Sequence, residues 1–305
     1  VLAALKETEN TIISATTGSG KSLLISELAK KTPGNVLIFQ PTKEILEQNV
    51  EHYKNLVDDN YKILSASMNS FEVGKITFST IGTAKNRTEL FDKKISLVII
   101  DECHRFNTKN TSMYGKFFKD IGYKDRVIGL TATPYRIVED KWDQKHKMTR
   151  GSLDVLTELG KESKKPPFWK SICYDADIER LISMGYLIKP EYKIYSNKER
   201  YKMLKENISG GWSKKSLEDW DRDNEILVTQ VCKEAYSEKN KIICFVDTIA
   251  VAESISLSLK QEGLNAEYIS STRSPKEVSS IIQKFRETKS KMILINVNQL
   301  TEGFD

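Results

Sequence analysis

Residues 11–22 read Thr11-Ile12-Ile13-Ser14-Ala15-Thr16-Thr17-Gly18-Ser19-Gly20-Lys21-Ser22, and their order decides the fold class. The apolar run from Thr11 to Ala15 predicts a strand, and Leu24 and Leu28, four apart, predict a helix after Ser22. Between them, Gly18 and Gly20 let backbone N–H groups close around phosphate oxygens, with Thr16, Thr17 and Ser19 completing the loop. Lys21 is placed to reach the β- and γ-phosphates of a nucleotide, and the Ser22 hydroxyl to hold Mg²⁺. The spacing is that of a phosphate loop, with Ala15 where a first glycine is usual. A Gly/Ser-rich turn with an incidental lysine is the plainer reading, and the strand before and helix after weigh against it.

The pattern continues outward from this loop. Asn35–Gln40, Tyr61–Ser67, Lys75–Thr80, Ser96–Asp101 and Arg126–Thr131 are further apolar runs. Several are continuous rather than alternating, the mark of strands buried on both faces of a parallel sheet. Leu46, Val50 and Tyr53 mark a helix that starts after Thr42, a suitable N-cap. Strand–helix alternation of this kind means α/β, with helices on both faces. The pattern breaks from about 138 to 170, a Lys-rich stretch containing Pro166-Pro167 that reads as an insertion or mobile connection or, equally, as a solvated helix-and-loop surface, and a helix-like run from Cys173 to Met184 closes at Gly185. A second series then supplies strands at Lys241–Val246, Leu264–Ser270 and Lys291–Val297. Helices are expected through Ile249, Ala252, Ile255 and Leu259, and over Ser274–Arg286. The expected organisation is two domains, 1–185 and 186–305.

A phosphate loop needs a carboxylate at the end of a buried strand to help hold Mg²⁺. Leu97-Val98-Ile99-Ile100-Asp101-Glu102-Cys103-His104 supplies one. Asp101 sits where the strand emerges, Glu102 is placed to orient or deprotonate an attacking water, and His104 lies near the γ-phosphate. At another strand end, Thr131-Ala132-Thr133-Pro134 offers small hydroxyls that can bond Asp101 or His104 and so couple nucleotide state to movement. Taken alone, that tetrapeptide is only a turn signal.

Composition narrows the class. The chain has 305 residues, 47 Lys plus Arg against 42 Asp plus Glu, and a net charge of +5. Ordinary apolar and charged fractions exclude a disordered tail, a collagen-like fibre and a coiled coil, and no apolar stretch reaches the ~20 residues that span a bilayer. Four cysteines without a CxxC pair, and only three histidines, argue against a zinc or iron–sulfur site and fit a reducing, cytoplasmic location. A charge this modest permits a nucleic-acid partner without requiring one. The absent initiator Met leads to the expectation that the natural start lies upstream.

The motifs together resemble the superfamily 2 helicases of DExH type: the phosphate loop, Asp101-Glu102-Cys103-His104, and Thr131-Ala132-Thr133-Pro134-Tyr135-Arg136. Gln40-Pro41-Thr42-Lys43-Glu44-Ile45, Phe78-Ser79-Thr80 and Ile295–Asp305 are similar to three more motifs of that superfamily. Within it, Val98–Phe106, Val127–Arg136, Thr149-Arg150-Gly151, Ile172–Leu187 and Asn296–Asp305 most resemble the RadD-type bacterial DNA-repair helicases. Restriction-enzyme translocase subunits share some of this pattern.

The resemblance implies a motor of two RecA-like domains that uses ATP and Mg²⁺, with single-stranded or forked DNA as partner and RNA as the other candidate. It implies that Gly303 and Asp305 belong to the nucleotide site. It places Pro41, Thr42, Thr80, Thr272 and Thr301 along the sugar–phosphate track, where contacts position a strand without reading its sequence. Trp142, Trp169, Trp212 and Trp220 would stack on bases if exposed and pack in cores otherwise. The chain lacks the Gln-containing adenine segment upstream of Thr11 and ends before the arginine-bearing sixth motif. The second domain is therefore expected to be incomplete and ATP turnover weak, those arginines being worth roughly 10³–10⁵ in rate in related enzymes. A non-motor nucleotide switch is the other reading of the same residues.

Overall fold

Consecutive apolar residues on the strands of the first unit feed opposite faces of one sheet. Ile12, Leu37 and Val98 enter one core, whereas Ile13, Val36, Ile38, Leu97 and Ile99 enter the other. Such runs need cover on both sides, and helices provide it. The computed structural model describes residues 1–16, 18–58, 60–92, 94–106, 112–139, 151–158, 167–194 and 213–300. These form two compact units, the first ending at Glu191 and the second beginning at Tyr192.

The first unit opens with a short helix α1 (Leu2–Lys6), then β1 (Thr11–Ser14), α2 (Lys21–Lys31), β2 (Asn35–Phe39) and α3 (Lys43–Leu56). There follow β3 (Lys62–Ser65), β4 (Ser70–Phe71), β5 (Ile76–Ser79), α4 (Ile81–Ala84), β6 (Ile95–Ile100), α5 (Met113–Asp120) and β7 (Val127–Thr131). β8 (Tyr135–Glu139), β9 (Gly151–Val155), β10 (Ser171–Asp175) and α6 (Ile178–Ser183) complete it. The sheet runs β10-β1-β7-β6-β2-β5-β3-β4, parallel except for β4 at the far edge. α2 and α3 cover one face through Ile25, Leu28, Leu46, Val50 and Tyr53. Ile81, Ala84 and Phe117 cover the other. There the rings of Phe39 and Phe117 meet edge to face at 5.4 Å. α3 begins where the sequence predicts: Thr42 Oγ1 accepts the Ile45 N–H at 3.4 Å.

Two expectations need correction. The run from Cys173 to Met184 is not one helix. Ser171–Asp175 is the edge strand β10, which pairs in parallel with β1 from Thr11↔Ser171 onward. The alternation of exposed Ile172 and Tyr174 with the more buried Cys173 is a strand period. α6 starts only after Asp177, whose Oδ1 accepts from the N–H groups of Glu179 and Arg180 at 2.9 and 3.3 Å. Nor is 138–170 only a connection. β8 and β9 pair antiparallel, and Leu156 and Trp169 enter the core of the first unit. Residues 140–150 and 159–166 lie outside the described residues.

Trp169 fixes a neighbour. A Cβ on Gly129 of β7 would lie 2.6 Å from Cys103 Sγ and 2.7 Å from the Trp169 ring. Gly129→Ala is therefore expected to lower stability by about 1–3 kcal/mol through overpacking, read as a drop in urea midpoint with an unchanged slope.

The second unit contains α7 (Lys214–Glu238), β11 (Lys241–Phe245), α8 (Ile249–Gln261), β12 (Ala266–Ile269), α9 (Pro275–Glu287) and β13 (Met292–Asn296). Its sheet is β11-β13-β12, all parallel. Ile293 and Ile295 point to one core with α8, and Met292 and Leu294 to the other with α9. A Ser274–Glu277 capping box opens α9. The sequence does not announce α7, in which charged residues are frequent. Val228, Cys232 and Tyr236, four apart, nevertheless lay a stripe on the α8 side of the sheet.

Candidate active site

The loop between β1 and α2 is tied down at both ends. Ala15 N–H donates to Thr131 O at 2.8 Å, and Leu24 N–H donates to Gly20 O at 3.0 Å. Gly18 and Gly20 have φ of +75° and +89°, which side-chain-bearing residues rarely adopt. Ser19 turns inward on its own loop, its N–H and Oγ both donating to Thr16 O, at 3.2 and 2.6 Å. Thr16 Oγ1 is buried and has no hydrogen-bond partner among the described residues. Thr17 lies outside the described residues.

The charged groups follow β1 and β6, and β7 between them supplies Thr131. Lys21, first residue of α2, forms an ion pair with Glu102 Oε1, and both side chains are largely buried. Glu102 has φ +48°, a left-handed conformation that a non-glycine residue holds only where its surroundings impose it. The Asp101 carboxylate, at the end of β6, is 5% exposed. Its Oδ1 accepts the Glu102 N–H at 3.0 Å, and its Oδ2 accepts from Asn49 Nδ2 at 3.3 Å. Burial, and then the adjacent Glu102 charge, push the Asp101 carboxyl up to about 6 against the opposing pull of Lys21. Burial likewise raises the Cys103 thiol, so its sulfur is a packing atom beside Gly129 rather than a nucleophile.

His104 Nδ1 lies 2.9 Å from Thr131 Oγ1 and 3.5 Å from Glu102 Oε2. Thr131 Oγ1 also accepts the Thr133 N–H at 3.0 Å and donates to Thr133 O at 3.3 Å. Lys21, Glu102, His104, Thr131 and Thr133 thus form one chain of contacts across β1, β6 and β7.

The strand-end loops of β2 and β5, next in the sheet, carry Pro41, Thr42 and Thr80, all partly exposed. Thr42 caps α3, and Thr80 shares a 3.2 Å hydrogen bond with Thr83. All these groups sit outside the carboxyl ends of parallel strands, the edge where open α/β sheets bind ligands. In the second unit Thr272 is exposed after β12, 2.8 Å from Ser270 Oγ. Asn296 Oδ1 accepts from the N–H groups of Gln299 and Leu300 at 3.0 and 2.8 Å, holding the turn after β13. Thr301, Gly303 and Asp305 lie outside the described residues, as do Trp142, Trp212 and the Trp220 side chain. Trp169, 2% exposed, is a core residue and not a stacking platform.

Sequence reading missed Asn49 and Gln40. Asn49 faces inward from α3 between Leu46 and Tyr53, and a polar residue on that apolar stripe is the signal that could have found it.

Ser22 and Asp101 are hard oxygen donors, few in number, which suits Mg²⁺ with phosphates filling its remaining positions. Among the described residues no cluster of three His, Cys, Asp or Glu is arranged to hold a metal. Two surface pockets around Phe91 and Asp92 include none of the groups described above.

Residues 1–136 match the family described as Type III restriction enzyme, res subunit, and residues 224–305 match the helicase conserved C-terminal domain. The two matches fall one in each unit, and together they support a superfamily 2 helicase. Its α/β units are tandem RecA-like domains, and solved structures agree with that fold. Saccharomyces cerevisiae Dbp5 L327V bound to RNA and ADP BeF3 aligns over 99% of this chain and 69% of its own, at 17% identity and TM-score 0.57. The ATP-dependent Type ISP restriction-modification enzyme LlaBIII bound to DNA aligns over the whole chain at 15% identity and TM-score 0.63. This chain spans only 24% of LlaBIII. The Pyrococcus furiosus Hef helicase domain aligns over 97% of this chain and 84% of its own, at 16% identity and TM-score 0.53. No curated protein matches the chain in sequence. Helicases of this kind use ATP and act on nucleic acid, and no helix among the described residues is long and apolar enough to cross a membrane.

Proposed function

We propose that this helicase chain is of DExH type and couples ATP hydrolysis to movement on, or unwinding of, DNA in repair or recombination, working in the cytoplasm. The observation that carries the reading is the Lys21–Glu102 pair beside buried Asp101, at the edge that also presents the Pro41–Thr42 and Thr80 loops. The resemblance of the motifs to those of RadD-type helicases supports a repair role. In this reading Gly18, Ser19 and Gly20 wrap the phosphates, with Thr16 and Thr17 beside them, while Lys21 holds the β- and γ-phosphate oxygens. Ser22 and Asp101 hold Mg²⁺, which when bound offsets the charge that develops on the phosphoryl oxygens. Gly303 and Asp305 complete the nucleotide contacts. Lys21 releases Glu102 as it turns to the phosphates, freeing that carboxylate to orient the attacking water and take its proton. His104, bonded to Thr131, senses the γ-phosphate side of the site. Pro41, Thr42, Thr80, Thr272 and Thr301 hold the backbone of the strand.

One comparison favours a second reading. The match of residues 1–136 to a restriction-enzyme subunit family favours the reading of a restriction-enzyme-type translocase subunit. Forked and blunt DNA, with matching RNA substrates, discriminate the two. Strand displacement on forks supports the helicase, and triplex displacement without unwinding supports the translocase. Glu102→Gln is expected to lower kcat for ATP about 10²–10⁴-fold while nucleotide still binds. A variant that turns over at the parent rate would remove Glu102 from the chemistry.

A further inference from the structure

We propose that Asn49 is a positioning residue that joins the Asp101 carboxylate to the Gln40–Pro41–Thr42 loop, so that nucleic acid held by that loop and nucleotide held at Asp101 bear on each other. The proposal rests on the functional reading above, which makes Asp101 a Mg²⁺ ligand and Pro41 and Thr42 strand contacts.

The geometry is a buried polar bridge. Asn49 Nδ2 donates to Gln40 Oε1 at 3.0 Å and to Asp101 Oδ2 at 3.3 Å. Gln40, Asn49 and Asp101 are 1%, 4% and 5% exposed. Gln40 and Asp101 are the residues that follow adjacent parallel strands, β2 and β6. Gln40 N–H is bonded to Ser79 O at 2.9 Å, and Asp101 N–H to Phe39 O at 3.0 Å, so both backbones are held while the side chains span the gap. Pro41 and Thr42 follow Gln40 directly, and α3, which carries Asn49, is capped by Thr42. A displacement of Thr42 therefore reaches Asn49 through one helix, and Gln40 through two peptide bonds.

Packing alone does not account for an amide here. Its neighbours Leu46, Val50 and Tyr53 belong to the apolar core, and a leucine would fill the place without burying polar atoms. The bridge also leaves bonding capacity unused. Asn49 Oδ1 and Gln40 Nε2 are buried and have no partner among the described residues. Each such orphan is costly, and a half-satisfied buried network is where an alternative arrangement lies close in energy. Rotating both amides presents Asn49 Oδ1 to Gln40 Nε2, an arrangement that the acceptor-only Asp101 carboxylate opposes while its Oδ2 faces Asn49. Drawing that oxygen toward a cation removes the opposition. The bridge therefore has two states, and the Asp101 carboxylate chooses between them.

Coupling of this kind is reciprocal in binding free energy, which provides the test. Affinity of the chain for a fluorescent non-hydrolysable ATP analogue with Mg²⁺ is measured with and without a saturating 20-nucleotide oligothymidylate, and affinity for the oligonucleotide with and without the analogue. For the parent chain each ligand is expected to strengthen the other by the same factor, about five- to twentyfold. Asn49→Leu and Gln40→Met, close to isosteric, are expected to bring that factor to within twofold of one. A purely structural role would weaken the individual affinities and leave the factor intact. Should Asn49→Leu fail to fold, Gln40→Met decides. Folded variants that keep the parent factor overturn the proposal. A parent chain that binds both ligands independently overturns it while leaving the helicase reading in place. A parent chain that binds no nucleic acid removes both.

Discussion

Lys21→Ala is expected to weaken binding of Mg²⁺-nucleotide about 10²-fold and, separately, to destabilise the nucleotide-free chain by about 3 kcal/mol. The first effect is the loss of charge-assisted hydrogen bonds to phosphate, each worth roughly 1.5–3 kcal/mol. The second comes from the ion pair. Glu102 is 6% exposed and bonded to Lys21, with the Asp101 carboxylate next to it. Removing the lysine leaves two adjacent buried carboxylates without their cation, and breaking a buried pair from one side costs about 3–5 kcal/mol before the partial exposure of Lys21 is discounted. The two effects separate in the double variant Lys21→Ala/Glu102→Gln, which has no unpaired charge at residue 102. It should recover most of the stability and none of the nucleotide affinity, as read by thermal melting and by titration with a fluorescent nucleotide. Equal stability of parent and Lys21→Ala would mean that the ion pair does not persist in solution.

The legible part of this molecule is the part governed by local pattern. Strands such as Asn35–Phe39 and Ile95–Ile100 are continuous apolar runs because both faces of the sheet are covered, and a run of that kind is visible without knowledge of its neighbours. The strand–loop–helix around Gly18-Ser19-Gly20-Lys21 and the strand ending at Asp101-Glu102 were readable because residue type and spacing go together there. What stayed hidden depends on partners distant in sequence. Ser171–Asp175 is an edge strand only because β1 lies beside it, 160 residues away at Thr11. α7 contributes only a narrow stripe to the core and its sequence is rich in charged residues, so its average composition conceals it. Asn49 lies on the apolar stripe of α3, but its bonds to Gln40 and Asp101 depend on strand ends distant in sequence. The Lys21–Glu102 contact could not be foreseen either, since the motif reading assigned the two side chains to different jobs.

Asp101→Asn is expected to act in opposite directions on the two forms of the protein. In EDTA, without nucleotide, it should raise stability at pH 7.5. Burial lifts the Asp101 carboxyl from its ordinary 3.8 to about 6, which corresponds to about 3 kcal/mol of disfavoured ionisation at ~1.36 kcal/mol per pKa unit. The folded chain holds this proton more tightly than the unfolded chain does, so the contribution falls as pH rises from about 4 to about 6 and the full cost is present above that. An asparagine carries no charge and escapes it. Its Nδ2 would meet the Asn49 donor, but Asn49 Oδ1 and Gln40 Nε2 are the two unpartnered atoms of that cluster. Turning both amides over restores every bond, so a net gain of about 1–3 kcal/mol is expected. The stability difference between variant and parent should therefore be near zero below pH 4 and level off above pH 6, in urea titrations taken across that range. With Mg²⁺ and nucleotide present the order reverses. The parent carboxylate gains a cation that offsets its burial, whereas the variant offers only a neutral oxygen, so the stabilisation that Mg²⁺ adds to that of nucleotide should largely vanish for Asp101→Asn. Parent-like stability in EDTA at pH 7.5 would show that Asp101 is not under electrostatic strain, and parent-like stabilisation by Mg²⁺-nucleotide would show that it is not a ligand.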